Sequence, residues 1–131
     1  MTWREWYDQL AKPEWTPAPS TIGTIWSFLY PILFATIAFV TIQAARKKIP
    51  LSVLLPFYVN LAANLLFTPI QFGLRHLTLA SIDIVVVWAS ILWMAFAIWK
   101  HYRWVAILQI PYAIWVTIAT VLQLSITWMN R

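Results

Sequence analysis

The side chains of this sequence that could do chemistry are mostly amides and aromatic rings rather than acids, bases or nucleophiles. Asn60, Asn64 and Phe67 stand at i, i+4 and i+7, which places them on one helical face; Trp115, Ala119 and Leu122 repeat the pattern, and Trp26 and Tyr30 are one turn apart. An amide turned toward lipid is costly, so Asn60 and Asn64 should face the interior of a bundle, where they either bond between helices or contact a ligand. Rings facing that interior form a wall for a flat apolar molecule, with an indole N–H as donor. The chemistry this set supports is binding.

Other candidates are weaker. Asp83 is the one acid inside a long apolar segment, and an intramembrane carboxylate is a functional candidate by default. It lies near the end of its segment, where pairing with Arg75, His76 or a backbone donor makes a structural role the favoured one. A proton pump needs further titratable groups. His76 and His101 are far apart in sequence and lack partners at metal-ligand spacing, so no metal site is expected. There is no cysteine, which removes disulfides and thiolate chemistry, and two glycines cannot build a phosphate cradle. No nucleophile, base and orienting group come together.

The elements that position these residues follow from hydropathy. The 131 residues are 62% hydrophobic and 10% charged, a membrane composition. Charges divide the chain into four apolar segments, at about 22–45 (A), 51–72 (B), 77–99 (C) and 104–129 (D), each with the roughly 20 residues a helix needs to span the hydrocarbon. The expected fold is therefore an all-α integral, multi-pass membrane protein, a single domain over 1–131 whose short connections make sequential helices antiparallel neighbours. The net charge of +5 reads as membrane orientation, because no basic stripe is long enough to follow a nucleic-acid backbone. Five Lys/Arg in the A–B and C–D connections (Arg46, Lys47, Lys48, Lys100, Arg103) against four at the other end bias that pair of loops toward the cytoplasm.

Before segment A, Trp3, Trp6, Tyr7 and Leu10 recur at helical spacing while Arg4, Glu5 and Asp8 fall away from them, the pattern of a short interfacial amphipathic helix. The stretch KPEWTPAPS that follows cannot be helical throughout, and Ser20 or Thr21 is expected to cap helix A. With no apolar leader in residues 1–20, Met1 is expected to begin the mature chain. Pro31, Pro56, Pro69 and Pro111 lie within the spans and should kink them. Among ten tryptophans, Trp3, Trp6, Trp99, Trp104 and Trp128 suit an aromatic belt at the headgroups, whereas Trp88, Trp93 and Trp115 are deep enough either to pack or to wall a ligand site.

The ordered motifs WYDQLAKPEWTPAP, WSFLYP, NLLFTPIQFG, DIVVVW and PYAIWVTIATVLQ resemble those of the TspO/MBR family, the translocator or peripheral benzodiazepine receptor type. The first matches the family's WYxxLxKPxWxPP at Trp6, Tyr7, Leu10, Lys12, Pro13, Trp15 and Pro17, with Ala18 in place of the second proline. The resemblance implies a five-helix bundle around a pocket for porphyrin, haem or similar apolar ligands, closed by the first loop as a lid. Segments A to D would be helices two to five, and Trp6, Tyr7, Lys12, Pro13, Trp15 and Pro17 would belong to the lid. By motif, the family pocket falls on Trp26, Asn64, Phe67, Trp115 and Ala119, nearly the set chosen by spacing. The sequence departs from the pattern at Phe67, Thr68, Gln71 and Gln123, and only five residues precede the WY motif where the family carries a helix.

The functions implied are tetrapyrrole binding for transport, sequestration or stress sensing; light- and oxygen-dependent porphyrin breakdown; or a partner-dependent subunit or homodimer in which another helix fills the first helix's place. No resident cofactor is required by the first of these; porphyrin or haem would be ligand, and the bilayer a constant partner.

Overall fold

A computed structural model describes residues 2–130. Helix α1 spans Trp3–Gln9, and the Thr2 hydroxyl accepts from the Glu5 amide at 3.1 Å to cap it. The first span is α2, Pro19–Ala45. Its cap is Ala18 rather than Ser20 or Thr21, because Pro19 is itself suited to the first helical position: its φ is preset and its missing N–H would have had no intrahelical partner.

Segment B is not one regular helix. It consists of a 3₁₀ turn at Leu51–Val53, helix α3 at Leu54–Thr68 and a π turn at Pro69–Gly73. Helix α4 spans Leu77–Trp99, the bounds expected of segment C. Segment D divides at Gln109 into α5, Arg103–Leu108, and α6, Ile110–Met129. Pro31 alone of the four span prolines sits well inside an α-helix; Pro56 lies in the first turn of α3, Pro69 opens the π turn and Pro111 is in the first turn of α6. The prolines therefore mark joints between helical pieces, where a missing donor costs least.

Four helical stretches, Pro19–Ala45, Leu51–Gly73, Leu77–Trp99 and Arg103–Met129, are long and apolar enough to cross a bilayer. The protein is an integral, multi-pass membrane protein with an all-α bundle. Helix α4 is its centre, packed against α3, α5 and α6, while α2 lies more lightly on the rest and keeps Phe28 71% exposed. Val40, Phe57, Val87, Met94 and Val116 are fully buried between these helices. Exposed aromatics such as Phe28 and Phe96 are ordinary on helices whose solvent is lipid.

Polar side chains fix the register of this apolar assembly. The Thr41 and Tyr58 hydroxyls bond at 2.7 Å between α2 and α3, and Ser81 and Thr127 at 2.6 Å between α4 and α6. The buried Gln109, at the α5–α6 joint, donates to Thr36 Oγ1 on α2 at 3.3 Å. The Trp88 indole donates to Thr117 Oγ1 at 3.0 Å, so this tryptophan ties α4 to α6 on the outside of the bundle.

Candidate functional site

Below α1 the ends of α2, α3, α4 and α6 enclose a cavity of about 430 Å³. Of the eight residues singled out by spacing and motif, seven line it: Trp26, Tyr30, Asn64, Phe67, Trp115, Ala119 and Leu122. Trp26 is the centre of an aromatic wall. Its ring stacks on Tyr30 with centroids 5.1 Å apart and an interplanar angle of 24°, and meets Trp115 edge-on at 6.4 Å and 83°. Trp115 is buried, and its Nε1 has no hydrogen-bond partner among the described residues. The indole N–H is thus a buried donor without an acceptor among the described residues.

Asn60 is the one of the eight that lies away from the cavity. It does not line the cavity; it is fully buried one turn behind Asn64, with its amide occupied. Asn60 Nδ2 donates to Ser90 Oγ at 2.9 Å and Val87 O at 3.2 Å on α4, and its Oδ1 accepts from the Tyr112 hydroxyl of α6 at 2.9 Å. Asn64 Nδ2 in turn donates to Asn60 Oδ1 at 3.1 Å and to the Tyr112 hydroxyl. Tyr112 also packs edge-on against Trp26 at 6.3 Å. Of the two amides, one holds three helices together and the other stands between that network and the cavity.

The remaining wall was not selected from the sequence. Gln71, Phe72 and Gln123 line the cavity with Ile84, Ile22 and Gly23. Gln71, carried by the π turn on the face of Asn64 and Phe67, is 3% exposed, and its Oε1 is unpartnered among the described residues. Tyr112 had a legible signal, three residues before Trp115 on the same helical face. Gln71 had one too, four residues after Phe67 and eleven after Asn60 on the same helical face.

The cover over the cavity is α1 and the loop behind it. Trp3, Trp6 and Tyr7 pack on Phe72 with ring centroids 5.0, 6.2 and 5.9 Å away, and Trp3 and Tyr7 reach the cavity itself. Burial raises the Tyr7 phenol above its ordinary value, with Asp8 adding to the effect and Arg4 opposing it, so its hydroxyl remains protonated. Lys12 closes the chain on itself, donating to Tyr7 O at 2.8 Å and Leu10 O at 3.1 Å with its ammonium 4.7 Å from the Tyr7 ring centroid. Pro13 accepts from Thr16 Oγ1 at 2.6 Å in the turn that follows. Trp15 is 51% exposed, and neither Trp6, Lys12, Pro13, Trp15 nor Pro17 lines the cavity. These five belong to α1 and the loop behind it and lie outside the wall.

Asn130 fastens the cover from the far end of the chain. Its Oδ1 accepts from Ala11 N at 2.9 Å and its Nδ2 donates to Ala11 O at 2.8 Å, a two-bond clasp between loop and α6. Asp83 is buried on α4 but does not line the cavity, and its Oδ2 has no hydrogen-bond partner among the described residues. His76, one expected partner, instead caps α4 by accepting from Leu79 N at 3.0 Å through Nδ1.

The described chain is similar to known proteins over nearly its whole length. The model of the TspO/MBR family matches residues 1–129. Protein CrtK of Rhodobacter capsulatus is 33% identical over 125 residues, covering 95% of this chain and 78% of that protein. The uncharacterized membrane protein YtaB of Bacillus subtilis is 32% identical over 127 residues, 97% of this chain and 81% of its own. The tryptophan-rich sensory protein of Cereibacter sphaeroides is 30% identical over 128 residues, 96% of this chain and 77% of its own.

Proposed function

The chain belongs to the TspO/MBR family, and from that membership, which supports a tetrapyrrole-related membrane function, we propose that it binds porphyrin, haem or a similar flat apolar molecule in the cavity beneath α1. The observation that carries this reading is the wall of Tyr30, Trp26 and Trp115 with its unpartnered indole N–H. Stacking adds only ~0.5 to ~1.5 kcal/mol per aromatic pair beyond burial, so affinity rests on how much of the ligand the cavity and cover enclose. Transport, sequestration and stress sensing are uses of one binding event.

The four spans correspond, on this reading, to helices two to five of the family fold. The lightly packed α2, with Phe28 exposed, offers a flank that a partner helix or a second copy would cover. Because the sequence has no cysteine, a Phe28→Cys variant gives a clean test by oxidative crosslinking in lipid. Light- and oxygen-dependent porphyrin breakdown would use the same site, with Trp115 beside the macrocycle. Illumination of the complex separates the two: a product formed by the wild type and not by Trp115→Phe supports breakdown, and an unchanged ligand supports binding alone. The binding itself is tested by titrating the detergent-solubilised protein with protoporphyrin IX and following its Soret absorbance. A saturable one-to-one shift that weakens at least ten-fold in Trp115→Leu is expected, and a folded wild type with no saturable shift rejects the reading.

A further inference from the structure

At the opposite end of the bundle from the aromatic cavity, a groove of about 950 Å³ opens between the start of segment B and the end of α4. Leu55, Trp93, Phe96 and Trp99 make its apolar wall, and Lys100 and His101 stand at its mouth. His101 Nε2 is itself buried, with no hydrogen-bond partner among the described residues. A second, shallower recess holding Lys47 and Lys48 adjoins the groove and shares Pro50 with it. Arg103 lies over the Trp99 ring at 4.9 Å, which keeps another cation beside the same mouth.

The charge at this end is of one sign. The connections 46–50 and 100–103 contain five Lys/Arg and no Asp or Glu, and all four acids of the sequence lie elsewhere, at Glu5, Asp8, Glu14 and Asp83. Orientation in a membrane needs cations in loops, but it does not need them at the rim of an apolar groove that runs down into the span, nor an orphaned imidazole beside them. The A–B turn holds its lysines in a costly way: Lys47 has φ 60°, a conformation that favours glycine, and Lys48 N donates to Gln43 O at 2.9 Å to close the turn. Lysine ammonium groups recognise phosphate as compact point charges, and basic pockets between helices at a membrane surface hold anionic headgroups.

The geometry points to a specific site for one anionic phospholipid, with its phosphate between Lys100, His101 and the Lys47–Lys48 turn and an acyl chain along Leu55, Trp93 and Phe96. The site is separate from the aromatic cavity and needs no tetrapyrrole. Neutral lipid fills the groove less well because it brings a choline cation to a cationic rim.

The test uses delipidated full-length protein in detergent, titrated with phosphatidylglycerol or phosphatidylcholine and read by native mass spectrometry, with circular dichroism as the check on folding. One phosphatidylglycerol should bind saturably at least ten-fold more tightly than phosphatidylcholine, and Lys100→Gln should reduce that preference at least five-fold; if Lys100→Gln does not fold, Lys48→Gln is read in its place. Phosphatidylglycerol with brominated acyl chains should quench the wild type more than a Trp93→Phe/Trp99→Phe variant, which places the chain in the groove. Equal affinity for the two lipids, no change in the lysine variants, or full displacement by millimolar inorganic phosphate would each overturn the proposal, the last by showing an ion site without a chain.

Discussion

Replacing Asn60 with leucine separates the two roles that its position in the sequence left open. The side chain is fully buried and makes three bonds to other helices: to Val87 O and Ser90 Oγ on α4, and from the Tyr112 hydroxyl on α6. Cross-helix hydrogen bonds in membrane proteins average about 0.6 kcal/mol each, so the three together contribute about 2 kcal/mol. Leucine is close in volume, which keeps any cavity term small. Asn60→Leu should therefore unfold about 2 kcal/mol more easily in a titration from mild micelles into dodecyl sulfate, followed by circular dichroism. Protoporphyrin affinity of the folded variant should fall by less than three-fold, since Asn60 touches no ligand space. A cycle with Ser90→Ala should show coupling of at least ~0.5 kcal/mol, as expected of directly bonded residues. Unchanged stability together with a large loss of binding would refute the reasoning, because it would make Asn60 a ligand contact and not a strut.

Further substitutions read other parts of the structure. Lys47→Gly relieves a left-handed conformation, φ 60°, and should raise stability by about 1 kcal/mol in the same unfolding titration. Asn130→Ala removes the clasp on Ala11, and stopped-flow release of protoporphyrin should accelerate several-fold with little loss of stability. Gln71→Leu removes a buried, unpartnered carbonyl and should stabilise the ligand-free protein by about 1 kcal/mol, measured by the shift of its unfolding midpoint. Arg4→Ala breaks an exposed pair with Asp8 at 3.3 Å and should change stability by less than ~0.5 kcal/mol.

What the sequence made legible followed from period and hydropathy. Four apolar segments became four spans because lipid leaves helices no other way to satisfy their backbone, and Trp26, Tyr30, Asn64 and Trp115 share a cavity because helical spacing put them on inward faces. Departures from regular helix escaped it. The π turn at Pro69–Gly73 and the break at Gln109 left no mark in the hydropathy, although Gln71, eleven residues after Asn60, falls on the same helical face as Asn64 and Phe67 and was legible by spacing. Asn60 and Asn64 carry the same signal one turn apart, and only the facing Ser90 and Tyr112 decide that one is a strut and the other a wall. Asn130 had no signal at all, since its bond to Ala11 spans 119 positions and depends on where two termini of the described bundle meet. The prolines were visible, and three of the four, Pro56, Pro69 and Pro111, stand in the first turn of a helical piece, where a preset φ and a missing donor cost least.

The most direct test of the central claim is an experimental structure of the protein with protoporphyrin IX bound. The account predicts the macrocycle in the cavity beneath α1, in van der Waals contact with Trp26 and Trp115 and with an acceptor atom within hydrogen-bond distance of Trp115 Nε1. A macrocycle seated instead on the outer face of α2, or in the cationic groove at the other end of the bundle, with the aromatic cavity empty, would contradict it.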